Sequence, residues 1–105
     1  MTSAPNTAFG DDLAFVCQTP RGAGGTWVIG LVAGHRFQAL VFSDHAENPA
    51  WELGASRISK LWVQRLSDRT VVFHFDRGLD VPAPDAAARA VVEFLAEGLV
   101  ERVFG

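Results

Sequence analysis

With 105 residues, of which 49% are hydrophobic and 20% charged, the chain is long enough for one domain with its own core and too apolar to stay unfolded. A formal net charge of −3 argues against a broad electrostatic grip on nucleic acid, and a single cysteine excludes an internal disulfide and a cysteine-based metal cluster. The longest apolar stretch, Trp27–Ala33, falls far short of the roughly 20 residues a membrane helix needs.

Residues 1–10 are small and polar and include Pro5, so they read as a loose tail ahead of a single domain over 11–105. The start has neither a basic n-region nor an apolar h-region; no cleaved leader is expected, and the cytoplasm is the expected compartment. Leu13–Gln18 (LAFVCQ) reads as a first strand and Thr19–Gly25 (TPRGAGG) as a turn-rich loop. In Thr26–Ala33 the residues Trp27, Ile29 and Leu31 share one face. Gly34 supplies a turn, and Arg36–Ser43 returns with Phe37, Ala39 and Val41 on one face, a tight hairpin signal. Asp44–Ser56 is the longest connection and the place to expect irregular, function-bearing structure.

The central pattern is a second hairpin. Ile58–Gln64 and Thr70–Asp76 are rich in β-branched and aromatic residues and flank the polar link Arg65–Arg69. A hairpin symmetric about Ser67 sets Leu61 opposite Phe73, Val63 opposite Val71, Trp62 opposite Val72, Lys60 opposite His74 and Ile58 opposite Asp76. The face with Leu61, Val63, Val71, Phe73 and Phe75 is apolar apart from Ser59 and must meet a core. The opposite face mixes Trp62 and aliphatics with Lys60, His74 and Asp76. Gly78 is expected to break the strand with a positive φ. Asp85–Glu97 is full of strong helix formers, with Ala88, Val91, Val92, Leu95 and Leu99 on one stripe. Pro84 and Asp85 suit its start; it ends at Gly98 or runs on into LVERVF. Together these elements predict an α+β fold, a four- to five-stranded, mostly antiparallel sheet with one C-terminal helix packed on one face.

From Gly54 through Arg57, Ile58, Ser59, Lys60, Leu61 and Trp62 to Asp76, Arg77, Gly78 and Asp80, the chain resembles a family of small uncharacterised bacterial and phage-associated domains. That family shows a RISKLW-like strand, a hydrophobic strand ending in a DRG-D-like turn, and an acidic-proline helix start. The resemblance spans the chain from about Arg36 into the helix. It implies a small β-rich domain with a terminal helix, and no activity.

Several residue groups invite chemistry. Arg21–Thr26 is glycine-rich enough to cradle a phosphate, but it lacks a P-loop lysine and leads into a strand, so it reads more simply as a loop. His35, His45 and His74 fall on separate elements without metal-ligand spacing, and no metal or cofactor is expected. Cys17, inside an apolar run, reads as a small buried hydrophobe rather than a nucleophile. Asp76 and Asp80 lack the alternate spacing of a calcium loop. No nucleophile–base–orienter set is present, so no enzyme is expected.

The sharpest candidate is the face carrying Lys60, Trp62, Val72 and His74, with Arg57 and Arg77 nearby. A tryptophan side chain buries roughly 200 Å², about 5 kcal/mol at about 25 cal/mol per Å². That rivals the stability of a small domain, so something should cover Trp62: the Asp44–Ser56 loop, the N-terminal segment, another copy of the chain or a partner. The expectation is a non-enzymatic interaction module that self-associates, as a homodimer, or meets another protein through this face. The alternative is a nucleic-acid-binding domain with Trp62 stacking on bases and Arg57, Lys60 and Arg77 on phosphates.

Overall fold

The computed structural model describes residues 12–22, 24–54, 56–76 and 78–104. The tail read over residues 1–10, and Arg77, lie outside them. Six strands form one antiparallel meander in the order of the chain: β1 (Ala14–Pro20), β2 (Thr26–Val32), β3 (His35–Val41), β4 (Ile58–Arg65), β5 (Val71–Asp76) and β6 (Leu79–Val81). The helix α1 (Ala86–Phe104) closes the fold. The expected α+β class is present. Five long strands carry the sheet, and the three-residue β6 adds an edge strand beside β5.

Local chemistry sets the turns. Ala33 and Gly34, with φ of 50° and 76°, join β2 to β3. Positive φ at both central residues gives the turn whose twist matches paired strands. The β1–β2 link is closed by Gly24 N donating to Arg21 O at 3.0 Å and Arg21 N to Gly25 O at 2.9 Å. The amide of Gly24 is therefore engaged within the turn, which removes one donor from any phosphate cradle there.

Register shifts interrupt four of the five strand pairings, and three of them change which side chains face the core. Near the β4–β5 turn Gln64 pairs with Val71, whereas farther along Val63 pairs with Phe73, Leu61 with Phe75 and Lys60 with Asp76. The symmetric register expected from the sequence is thus displaced. Arg69, with φ of 60°, lengthens the turn, and Val72 is the extra residue of a bulge. Leu61, Val63, Phe73 and Phe75 keep their expected core face because the net displacement is even. Val71 and Val72 exchange roles: Val71 is exposed and Val72 is buried in the core. A second bulge in β4 makes Ser59 the extra residue between Leu40–Lys60 and Val41–Ile58, so Ile58 also turns inward, off the face on which alternation had placed it. The third, in β1, pushes Val16 out to 63% exposure.

The inner face of the sheet and the helix share one core. Val28, Val32, Phe37, Ala39, Val41, Leu61, Val63, Phe73 and Phe75 meet Ala88, Val91, Val92, Leu95, Leu99 and Val100. The stripe read from the sequence is the buried one, and the helix runs on through Gly98. Each fully buried Leu or Val contributes about 1.5–3 kcal/mol relative to exposure. The core is tight enough to dictate a glycine: a Cβ at Gly30 would sit 2.6 Å from the Phe37 ring and 2.8 Å from the Ala14 carbonyl oxygen.

Two arginines at the ends of β4 bracket the helix. Arg65 bonds Asp68 at 2.8 and 3.2 Å and reaches Asp85 at 3.4 Å, where Asp85 Oδ1 accepts from Ala88 N at 2.8 Å and caps the helix. Arg57 donates to Ser43 O at 2.9 Å and to Glu101 at 2.7 Å near the helix C-terminus. The helix therefore lies antiparallel to β4. Gly78 does not take a positive φ, and a Cβ there would meet nothing. The turn into β6 is instead closed by Asp76 N donating to Gly78 O at 3.0 Å.

Candidate interaction face

The helix covers only one side of the sheet. On the other side the strand registers build a grid of side chains. One row runs Thr19, Trp27, Leu40, Lys60, Asp76, and the next runs Cys17, Ile29, Gln38, Trp62, His74, Val81. A third runs Ala14, Leu31, Arg36, Gln64, Val71. Two indoles thus occupy the middle of this face, one row apart. Trp62 was singled out from the sequence. Trp27 was not, although its alternation with Ile29 and Leu31 was visible, because only the β2–β3–β4 register brings the two together.

The cations lie along this apolar surface. The Arg36 guanidinium sits 5.8 Å from the Trp62 ring centroid, and Lys60 Nζ sits 5.9 Å from that of Trp27. Both separations suit a cation–π contact, and the aliphatic stems cover part of what the indoles would expose. Leu40, the register partner of Lys60, is completely buried although it is on the face without a helix. Lys60 also lies 3.7 Å from Asp76, opposite it on β5, where the sequence had placed His74. His74 instead stands opposite Trp62. The result is a shallow depression of about 280 Å³ bounded by Trp27, Gln38, Lys60, Trp62, His74 and Asp76.

The six residues expected at the site therefore divide. Lys60, Trp62 and His74 come together. Val72 does not, because the bulge turns it into the core. Arg57 does not either: it is held near the helix C-terminus by Ser43 and Glu101. Arg77 lies outside the described residues. The three histidines stay apart. His35 is buried at the start of β3 with Nδ1 donating to Ala33 O at 2.8 Å, and His45 is in the long loop. Among the described residues no cluster of His, Cys, Asp or Glu is placed to hold a metal ion. Cys17 is not a buried hydrophobe. It is exposed on the edge strand β1, with its Sγ 3.2 Å from the Thr19 hydroxyl, on the side of the sheet opposite α1.

The long loop does not appear among the groups bounding the Trp62 depression. It is ordered around Glu52, which is only 6% exposed. Its carboxylate accepts from Ala46 N at 2.7 Å, Arg57 N at 2.8 Å and His45 Nδ1 at 2.9 Å. Burial pushes the Glu52 pKa up, but these three donors, His45 foremost, outweigh it and hold the carboxyl below its ordinary value. Nothing in the sequence marked Glu52 as the loop's anchor, since a glutamate in a polar loop is ordinarily exposed.

Among the described residues no helix is long and apolar enough to cross a membrane. Residues 26–100 match the family model described as a domain of unknown function, DUF7678. No curated protein and no solved structure matches.

Proposed function

The chain belongs to the DUF7678 family, and we propose that it is a non-enzymatic interaction module that self-associates through the sheet face opposite the helix. The observation that carries this reading is the pair of half-buried indoles, Trp27 and Trp62, at the centre of a sheet face that no second layer covers among the described residues. Around them Leu31 is 37% exposed and Val81 36%, which extends the apolar area toward both edges.

Size supports the reading as well. Six strands at about 4.8 Å spacing and strands of about seven residues at about 3.3 Å give a face of roughly 550 Å² in projection. Side-chain relief raises its accessible area toward the roughly 800 Å² per partner of a standard interface. Charge favours a protein partner over a nucleic acid. Arg36 and Lys60 lie against indoles, Lys60 is also paired with Asp76, and Arg57 is held elsewhere. A face with both charge signs is able to meet its own copy about a two-fold axis.

The test is sedimentation of the wild type and of Trp62→Ser over a wide concentration range, beside a titration with single-stranded DNA. The expected outcome is a mass that rises with concentration in the wild type and rises less in the variant, with no salt-dependent response to DNA. A wild type that stays monomeric at hundreds of micromolar contradicts self-association. A salt-dependent shift with DNA that Trp62→Ser removes moves the same face to the nucleic-acid reading.

A further inference from the structure

Positions on the outer face follow from the strand registers. Trp62 lies on β4 in the row it shares with Gln38 and His74. Arg36 lies one strand back, on β3, and one row toward the β2–β3 turn, in register with Gln64. Asp76 lies one strand on, on β5, and one row the other way, in register with Lys60. Trp62 is therefore the midpoint between Arg36 and Asp76. At about 4.8 Å between strands and about 6.7 Å per two residues, each charged residue is roughly 8 Å from it along the sheet. Trp27 lies two strands back from Trp62, in the row of Lys60 and Asp76. On the same spacings the line through the two tryptophans crosses the Arg36–Asp76 line at about 90°.

Opposite charges that straddle a line of two tryptophans make a self-complementary pattern. In a two-fold dimer of facing sheets the axis lies in the interface, and each residue meets whatever stands at the same distance across that axis. An axis along Trp27 and Trp62 brings each indole to its own counterpart. It also sets Arg36 of one copy over Asp76 of the other, twice. Lys60 then falls over Gln38 of the second copy, whose amide oxygen accepts from an ammonium group, so no like charges meet among these groups. Both charges are open to a new partner. Among the described residues no carboxylate lies within ion-pair distance of Arg36. The Asp76 side chain is 46% exposed, and Lys60 stays 3.7 Å from it, beyond hydrogen-bond length.

Resting on the self-association reading, we propose that the partner of this face is a second copy held in one register, with Trp27 and Trp62 along the two-fold axis and two reciprocal Arg36–Asp76 ion pairs beside it. The strands of the two copies then cross at about 70°, nearer the orthogonal than the aligned class of sheet packing. The indoles supply the apolar surface that is buried. The ion pairs select the register, because displaced arrangements leave those charges unpaired or bring like charges together.

The experiment measures sedimentation of the full chain carrying Arg36→Asp or Asp76→Arg, each alone and mixed in equal amounts. In either homodimer like charges face each other, whereas in the mixed dimer both pairs again join opposite charges. Each variant alone should associate at least tenfold more weakly than the wild type, and the mixture at least tenfold more tightly than either variant. Asp76→Asn, a milder change, should weaken association at least threefold and flatten its dependence on salt. Its thermal midpoint should stay near that of the wild type, because the side chain is exposed. A wild type that associates while the reversed variants associate as tightly overturns this register and leaves the self-association reading standing. A mixture no tighter than its components does the same. Unchanged association in Asp76→Asn overturns the pairing even where a reversed chain fails to fold. A wild type that stays monomeric at hundreds of micromolar overturns both the register and the reading it rests on.

Discussion

The two faces of this sheet are built from the same alternating strands, yet they bury apolar surface in different ways. The inner face interlocks with a helix, and its residues are sealed almost completely: Phe37, Leu61, Val63 and Leu95 all have zero exposure. Among the described residues the outer face has no second layer, and its indoles are half-buried, with the Arg36 and Lys60 cations 5.8 and 5.9 Å from their ring centroids. The difference shows that a basic side chain lying along an indole shelters it in part, but leaves a surface that a partner can still occupy. It also predicts where mutations hurt folding and where they hurt association.

The largest expected effect is on the inner face. Phe73→Ala should cost about 3–5 kcal/mol through lost transfer energy and a cavity, read from urea unfolding. A loss under about 1 kcal/mol would mean that the inner face is not the core. Next comes Gly30→Ala. A methyl group there meets the completely buried Phe37 ring, and overpacking of this kind costs about 1–3 kcal/mol. An unchanged unfolding midpoint would show that Phe37 has room to move. A smaller loss, about 1 kcal/mol, is expected for Asp85→Ala, which removes the N-cap from α1. Circular dichroism melts would check it.

Acid should act through the turn that holds the helix N-terminus. The Asp68 carboxyl is held far below the ordinary range, first by its hydrogen bonds with Arg65 and then by the Thr70 amide. Its folded pKa lies below its unfolded one, so its contribution is complete above about pH 4, the ordinary carboxylate value, and fades as the pH falls through the folded value. Asp68→Asn should therefore be less stable than the wild type at pH 7, with the gap closing as the medium is acidified below about pH 4. Both groups are exposed, so the gap is small. A gap that widens on acidification would contradict the assignment.

Parts of this were open to sequence reasoning, and the reasons are specific. Period-two alternation found Leu61, Val63, Phe73 and Phe75 as one buried face, and 3.6-residue spacing found the stripe from Ala88 to Leu99. Both signals are local. Val72 and Ile58 were assigned to the wrong face because single-residue bulges reverse the parity of everything on one side of them. No composition cue marks where a bulge falls. Arg57 was drawn to the candidate face by chain proximity to Lys60, but its partners are Ser43 and Glu101, 14 and 44 residues away. Trp62 was legible as facing away from the helix and Trp27 only as sharing a face with Ile29 and Leu31, so their convergence depended on strand order. The candidate site was thus half visible: three of its residues were named, and the partner indole waited for the register.

The most direct test of the central claim is a dilution series followed by amide and indole N–H chemical shifts of the wild type. If the outer face is the self-association surface, the signals of Ile29, Gln38, His74 and the Trp27 and Trp62 indoles move with concentration, while those of α1 between Arg89 and Glu97 stay fixed. The Trp62→Ser chain should show the same fold, with those movements largely gone. Signals that do not move with concentration anywhere, or that move along the exposed side of α1 and leave the indoles unchanged, would contradict it.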